Sequence, residues 1–65
     1  MSEHMRACMH AISEARVARM DTVDLVNDVL NLPDAPGNRE LLTLANRQYL
    51  EASEDLMAAW DRLEE

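Results

Sequence analysis

The chain has 65 residues, room for one small domain that buries only about 60% of the surface its unfolded form exposes. Thirteen acids against six arginines and no lysine give a net charge of -7, which disfavours direct binding to nucleic acid or an anionic membrane and makes a basic protein surface the better partner. A single cysteine excludes an intrachain disulfide, and without a Cys and His cluster for structural zinc, oligomerisation is the remaining way to reinforce so small a core.

From about residue 3 to 31 the polar positions Glu3, Arg6, His10, Ser13, Asp21, Asp24 and Asp28 recur at helical spacing. Met5, Cys8, Ile12, Ala15, Thr22, Val26 and Val29 lie opposite them, so the segment reads as one long helix. Ser2 is placed to cap it, with Glu3 favourable in the first turn. Residues 32–37 form the turn, within a stretch from Asn31 to Asn38 that holds both prolines and the only glycine. Two residues are candidate caps for the second helix. Asp34 suits a start with Pro36 in the first turn, and Asn38 suits a later one with Glu40 in it.

The second helix runs from about 38 to 63. Its seam reads Leu42, Ala45, Tyr49, Ala52, Leu56, Ala59, Leu63, in alternating steps of three and four. Glu64 and Glu65 stand unfavourably at the negative end of the helix dipole and should fray. Ala45, Ala52 and Ala59 are spaced by heptads, and Ala11, Ala18 and Leu25 answer them in the first helix. Their numbers sum to 70 pairwise, which matches them in antiparallel register along an Ala-rich seam. The expected fold is all-α: a single helical-hairpin domain over residues 1–65, rod-shaped, dimerising into a four-helix bundle.

Chemistry has little foothold in this pattern. His4 and Cys8 share a helical face while His10 points elsewhere, so one chain offers two soft ligands where structural zinc wants four. Cys8 falls on the apolar stripe, as a small packing residue does. No P-loop, dinucleotide fingerprint or HExxH pattern occurs, and a two-helix rod offers no pocket to activate a nucleophile or a carboxylate. The expectation is a protein without catalytic residues, metal or cofactor. No basic segment followed by an apolar run has the form of a leader, and no apolar run approaches the roughly 18 residues of a membrane span. A soluble cytoplasmic protein is expected, in the host cytoplasm if phage-encoded.

Charge placement is more informative. The first 32 residues carry three arginines against five acids and the remainder three against eight. The alanine register predicts ion pairs of Arg19 with Glu51, Arg16 with Glu54 and Arg47 with Asp24, each worth little. Asp21, Asp28, Asp55 and Asp61 are left without an evident partner. A solvated face accounts for such acids, and so does a surface complementary to a basic partner.

Apolar positions beyond the seam are Met9, Val17, Met20, Val23, Leu30, Leu44, Leu50, Met57 and Trp60, more than solvent leaves uncovered on so small a rod. Ile12, Met20, Val23, Val26, Tyr49, Leu56, Met57 and Trp60 are the expected core and dimer residues. Val17, Leu44 and Leu50 look outward and, with Asp21, Asp28 and Asp55, make the expected surface for a heterologous partner.

These features together suggest a small acidic noncatalytic regulator, a homodimer that binds and inhibits or sequesters a cellular protein, such as a nucleic-acid-binding regulator with a basic surface. In size and acidity the chain resembles the small inhibitors that phages encode, anti-CRISPR and anti-activator proteins among them, with no motif shared. Two alternatives stand beside this reading. One is RNA or DNA binding by a dimer similar to the Rop type of helical hairpin, and the other is an assembly or chaperone subunit that holds a partner helix.

Overall fold

The computed structural model describes residues 2–65. Two helices, α1 (Glu3–Leu30) and α2 (Pro36–Leu63), lie antiparallel as a hairpin, and no strand occurs among the described residues. Neither is long and apolar enough to cross a membrane. The rod measures 51 × 15 × 10 Å, a layer one helix thick.

Ser2 starts α1 as its sequence position suggests. Its backbone is extended and its Oγ accepts from the Met5 N–H at 3.1 Å, satisfying one of the orphan donors of the first turn. At the other end the Asn31 and Leu32 N–H groups donate to the Asp28 and Val29 carbonyls, tightening the last turn before Pro33 forces the chain out.

The start of α2 differs from both sequence expectations. Its N-cap is Ala35, in extended conformation with no side-chain cap, and Pro36 is the first helical residue, where its missing N–H costs nothing. Asp34 instead grips Arg39 through two hydrogen bonds of 2.7 and 3.0 Å, and the Asn38 amide donates to the Pro33 carbonyl at 2.8 Å. The two candidate caps therefore tie the turn together from outside. Helix α2 begins two residues earlier than the spacing predicts, and the connection is residues 31–35. Gly37 consequently belongs to the first turn of α2, with no positive φ.

The seam of α2 is the expected one, with every residue from Leu42 through Leu63 in that series buried or half-buried, Ala45 most of all at 2% exposure. The α1 side requires a correction. Ala11 is half-buried but Ala18 and Leu25 are exposed, and the helix presents Cys8, Ile12, Ala15, Arg19, Thr22, Val26 and Val29 instead. Volume is the reason. Alanine facing alanine leaves space between two backbones, whereas Ile12 and Val26, standing level with Ala59 and Ala45 in this register, fill it.

Antiparallel register itself agrees with the alanine spacing. Arg19 donates from Nε to Ser53 Oγ at 3.1 Å and from Nη2 to the Tyr49 hydroxyl at 2.9 Å, contacts whose residue numbers sum to 72 and 68, either side of 70. The expected partner Glu51 lies at the right height but about 200° around the helix from Tyr49, on the exposed side. Neither the Arg19–Glu51 pair nor those of Arg16 with Glu54 and Arg47 with Asp24 form. Among the described residues the close ion pairs are Asp34–Arg39 and His10–Glu14, the latter at 3.0 Å with charge on the histidine only when it is protonated.

The resulting core is thin. Only Cys8, Ile12, Ala45 and Ala59 are buried apolar residues among those described, and none has a side chain wholly removed from solvent. The large apolar side chains Met20, Met57 and Trp60 are among those left exposed.

Candidate protein-binding surfaces

A layer one helix thick has two broad faces, and the rotation of the helices makes them unlike. One face is built from large flexible side chains. A cleft of about 490 Å3 between the helices is lined by Val17, Met20, Val23, Leu56 and Trp60 with Arg16. Adjoining it, one of about 460 Å3 is lined by Met5, Met9, Ile12, Trp60 and Leu63, again with Arg16. Trp60 joins the two. Steps of four and three carry this stripe along α1 from Met5 through Met9, Ser13, Arg16 and Met20 to Val23, directly beside the seam. Met57 stands one turn before Trp60 and Leu50 one heptad before Met57, which extends the face along α2.

The opposite face is lined by alanines: Ala11, Ala15 and Ala18 of α1 meet Ala52, Ala58 and Ala59 of α2 in a shallow groove. Glu14, Asp55 and Arg62 stand along it. This is where the first-helix alanines of the heptad pattern lie, at the flank of the seam.

The expected core and dimer residues divide accordingly. Ile12 is buried, and Val23, Val26, Tyr49 and Leu56 are half-buried within the hairpin. Met20, Met57 and Trp60 remain 62%, 67% and 49% exposed on the Met–Trp face. The six residues expected to meet a heterologous partner are all exposed, but they do not make one surface. Val17 and Asp21 line the Met–Trp cleft and also a shallow depression on the back of α1 with His10 and Glu14, and Asp28 follows Asp21 by a heptad. Asp55 lies on the alanine face, with Leu44 three turns before it on the same side. Leu50 belongs to the Met–Trp side.

Sequence reading places Met5 on the apolar side of α1 and leaves Met5, Leu63 and Arg16 out of any binding surface. The stripe from Met5 to Val23 is the signal that would have gathered Met5 and Arg16, whereas Leu63 depends on how the α2 end is rotated.

Polar chemistry is concentrated at Arg19. Its Cζ lies 5.3 Å from the Tyr49 ring centroid, within the roughly 6 Å over which a cation is attracted to an aromatic face. The Arg19 hydrogen bond holds the Tyr49 phenol below its ordinary value, with help from the arginine charge and the Ser53 hydroxyl and against a smaller effect of burial. In the turn, the hydrogen bond from Arg39 holds the Asp34 carboxyl below its ordinary range. His4 Nε2 and Cys8 Sγ are 3.7 Å apart on one face of α1, while His10 turns to Glu14. Among the described residues no three His, Cys, Asp or Glu side chains are gathered as metal ligands.

The geometry thus supplies an apolar face rich in methionine and tryptophan, an alanine face, and an acidic exterior. No family model matches the chain, and no curated protein or solved structure matches it either.

Proposed function

We propose that this protein is a small noncatalytic regulator that pairs with itself into a four-helix bundle and binds a protein with a basic surface, inhibiting or sequestering it. The observation that carries this reading is the Met–Trp face, where Met20, Met57 and Trp60 stand about half or more exposed on a chain whose own core is thin. Exposed apolar area on that scale marks an interaction surface.

Electrostatics supports the kind of partner. Asp21, Asp28 and Asp55 are exposed and form no close ion pair among the described residues. With a net charge of -7, these acids would steer encounter with a basic surface, and a nucleic-acid-binding regulator is one class that carries such a surface. Direct binding of RNA or DNA has weaker support. Arg19 is committed to Tyr49 and Ser53 and Arg39 to Asp34, so four of the six arginines remain for phosphate.

Capture from cell lysate by the wild type and by an Asp21→Lys, Asp28→Lys, Asp55→Lys variant tests the reading. The expectation is a basic protein retained by the wild type, released by salt and lost in the variant. Retention of nucleic acid in place of protein, or a protein held equally by both forms, would contradict it.

A further inference from the structure

The two faces of the hairpin differ enough to say which one a second copy covers. We infer that the Met–Trp face packs against the same face of a second copy, and that the alanine face stays outside the dimer. The inference rests on the self-association proposed above and assigns it a surface.

Area is the first argument. The broad side of the rod measures 51 × 15 Å, so complete face-to-face overlap of two copies would bury at most about 1,500 Å2 in total, within the range of stable protein–protein interfaces. A short peptide would leave much of that length uncovered.

Charge is the second. Arg16 lines both clefts of the Met–Trp face, and one of them is also lined by Arg19, already held by Tyr49 and Ser53, and by Asp21, so the face carries two cations and one acid there. Pairing through this face lets two chains of charge -7 turn most of their acids outward. Pairing through the alanine face would set Glu14 and Asp55 of one copy towards those of the other, at a cost in repulsion that Arg62 offsets only in part.

Side-chain volume is the third. An alanine has one methyl group to bury, whereas methionine and tryptophan remove large areas from water, and methionine adapts to an irregular partner. Trp60, lining both clefts, is the side chain suited to anchor the contact.

The test uses the full chain in three forms: wild type, Met20→Gln with Met57→Gln, and Ala18→Gln with Ala58→Gln. All four positions are exposed in the hairpin, so neither pair disturbs the seam. Sedimentation should show a wild-type dimer, an alanine-face variant that remains one, and a methionine variant weakened roughly tenfold or more. Slow peroxide oxidation of the wild type supplies a readout independent of variant folding. Met20 and Met57 should oxidise several times more slowly at dimer concentrations than after dilution.

A dimer lost in the alanine-face variant and kept in the methionine variant would overturn the assignment while leaving self-association standing. Met20 and Met57 oxidising at the same rate in dimer and diluted chain would do the same. A wild type that stays monomeric at every concentration would overturn both.

Discussion

Arg19 and Tyr49 meet across the seam at 2.9 Å, guanidinium to phenol, and the same arginine reaches Ser53 from its Nε. One side chain of α1 thereby spans a full turn of α2. A slip of either helix along the other breaks both contacts, so this residue adds to the register that the packed seam sets. Arg19→Met keeps the stem and removes the donors. It is expected to lower Tm by a few degrees without loss of helicity, as thermal melts followed by circular dichroism would show.

The same contact predicts an alkaline pH dependence. Tyr49 is the one tyrosine in the chain, so its ionisation can be followed by phenolate absorbance. Its folded value lies below the ordinary one, so between the two the unfolded chain binds more protons and stability rises with pH. The gain begins at the lowered folded value and is complete above about 10, the ordinary tyrosine value. Arg19→Met removes the two largest causes of the lowering, so it should move the phenol up towards its ordinary value and shrink the effect, and an unchanged titration would contradict the assignment.

At the turn the sign reverses. Arg39 holds the Asp34 carboxyl low, so this pair's contribution is present above the ordinary aspartate value and is lost as pH falls through the lowered one. Both side chains are over 70% exposed, which keeps the contribution small and salt-sensitive. NMR titration of the Asp34 carboxyl in the wild type and in Arg39→Gln should show an upward shift in the variant. High salt should narrow the difference.

Gly37 occupies a helical position that another residue can take. A Cβ there would meet nothing within 4 Å, and its φ is not positive. Gly37→Ala is expected to stabilise the hairpin by about 0.4–1 kcal/mol, chiefly by restricting the unfolded chain, with a matching rise in Tm. A fall in Tm would mean that Gly37 does not belong to α2.

The corrected α1 face makes its own prediction. Ala45 is buried against α1 while Ala18 is exposed. Ala45→Leu should cost about 1–3 kcal/mol by overpacking, and Ala18→Leu should be nearly neutral. Equal penalties in denaturant titrations would restore Ala18 to the seam.

How much was legible in the sequence follows from these residues. The α2 seam could be read because Leu42 through Leu63 alternate threes and fours without a competing stripe. Helix α1 carries two neighbouring stripes, one through Ala11, Ala18 and Leu25 and one through Cys8, Ile12 and Ala15. Periodicity cannot choose between them, since the choice depends on which volumes fit against Ala45 and Ala59. The alanine spacing carries the height of the register but not the rotation of the helices, so Arg19 meets Tyr49 and Ser53 rather than Glu51. The turn misled for a local reason: Pro36 starts a helix without a side-chain cap, which freed Asp34 and Asn38 for other bonds. The Met–Trp surface was half visible. Met20, Met57 and Trp60 stand out as surplus apolar residues and the stripe from Met5 to Val23 gathers Met5, but Leu63 joins them only through the rotation of the α2 end.

Sedimentation equilibrium of the wild-type chain over a wide concentration range tests the central claim, that the Met–Trp face makes this hairpin a self-associating protein. The expected result is a particle of twice the 7.4 kDa chain mass that dissociates on dilution, with Trp60 emission shifting to the red as it does so. A single species of 7.4 kDa throughout, with unchanging Trp60 emission, would contradict the account.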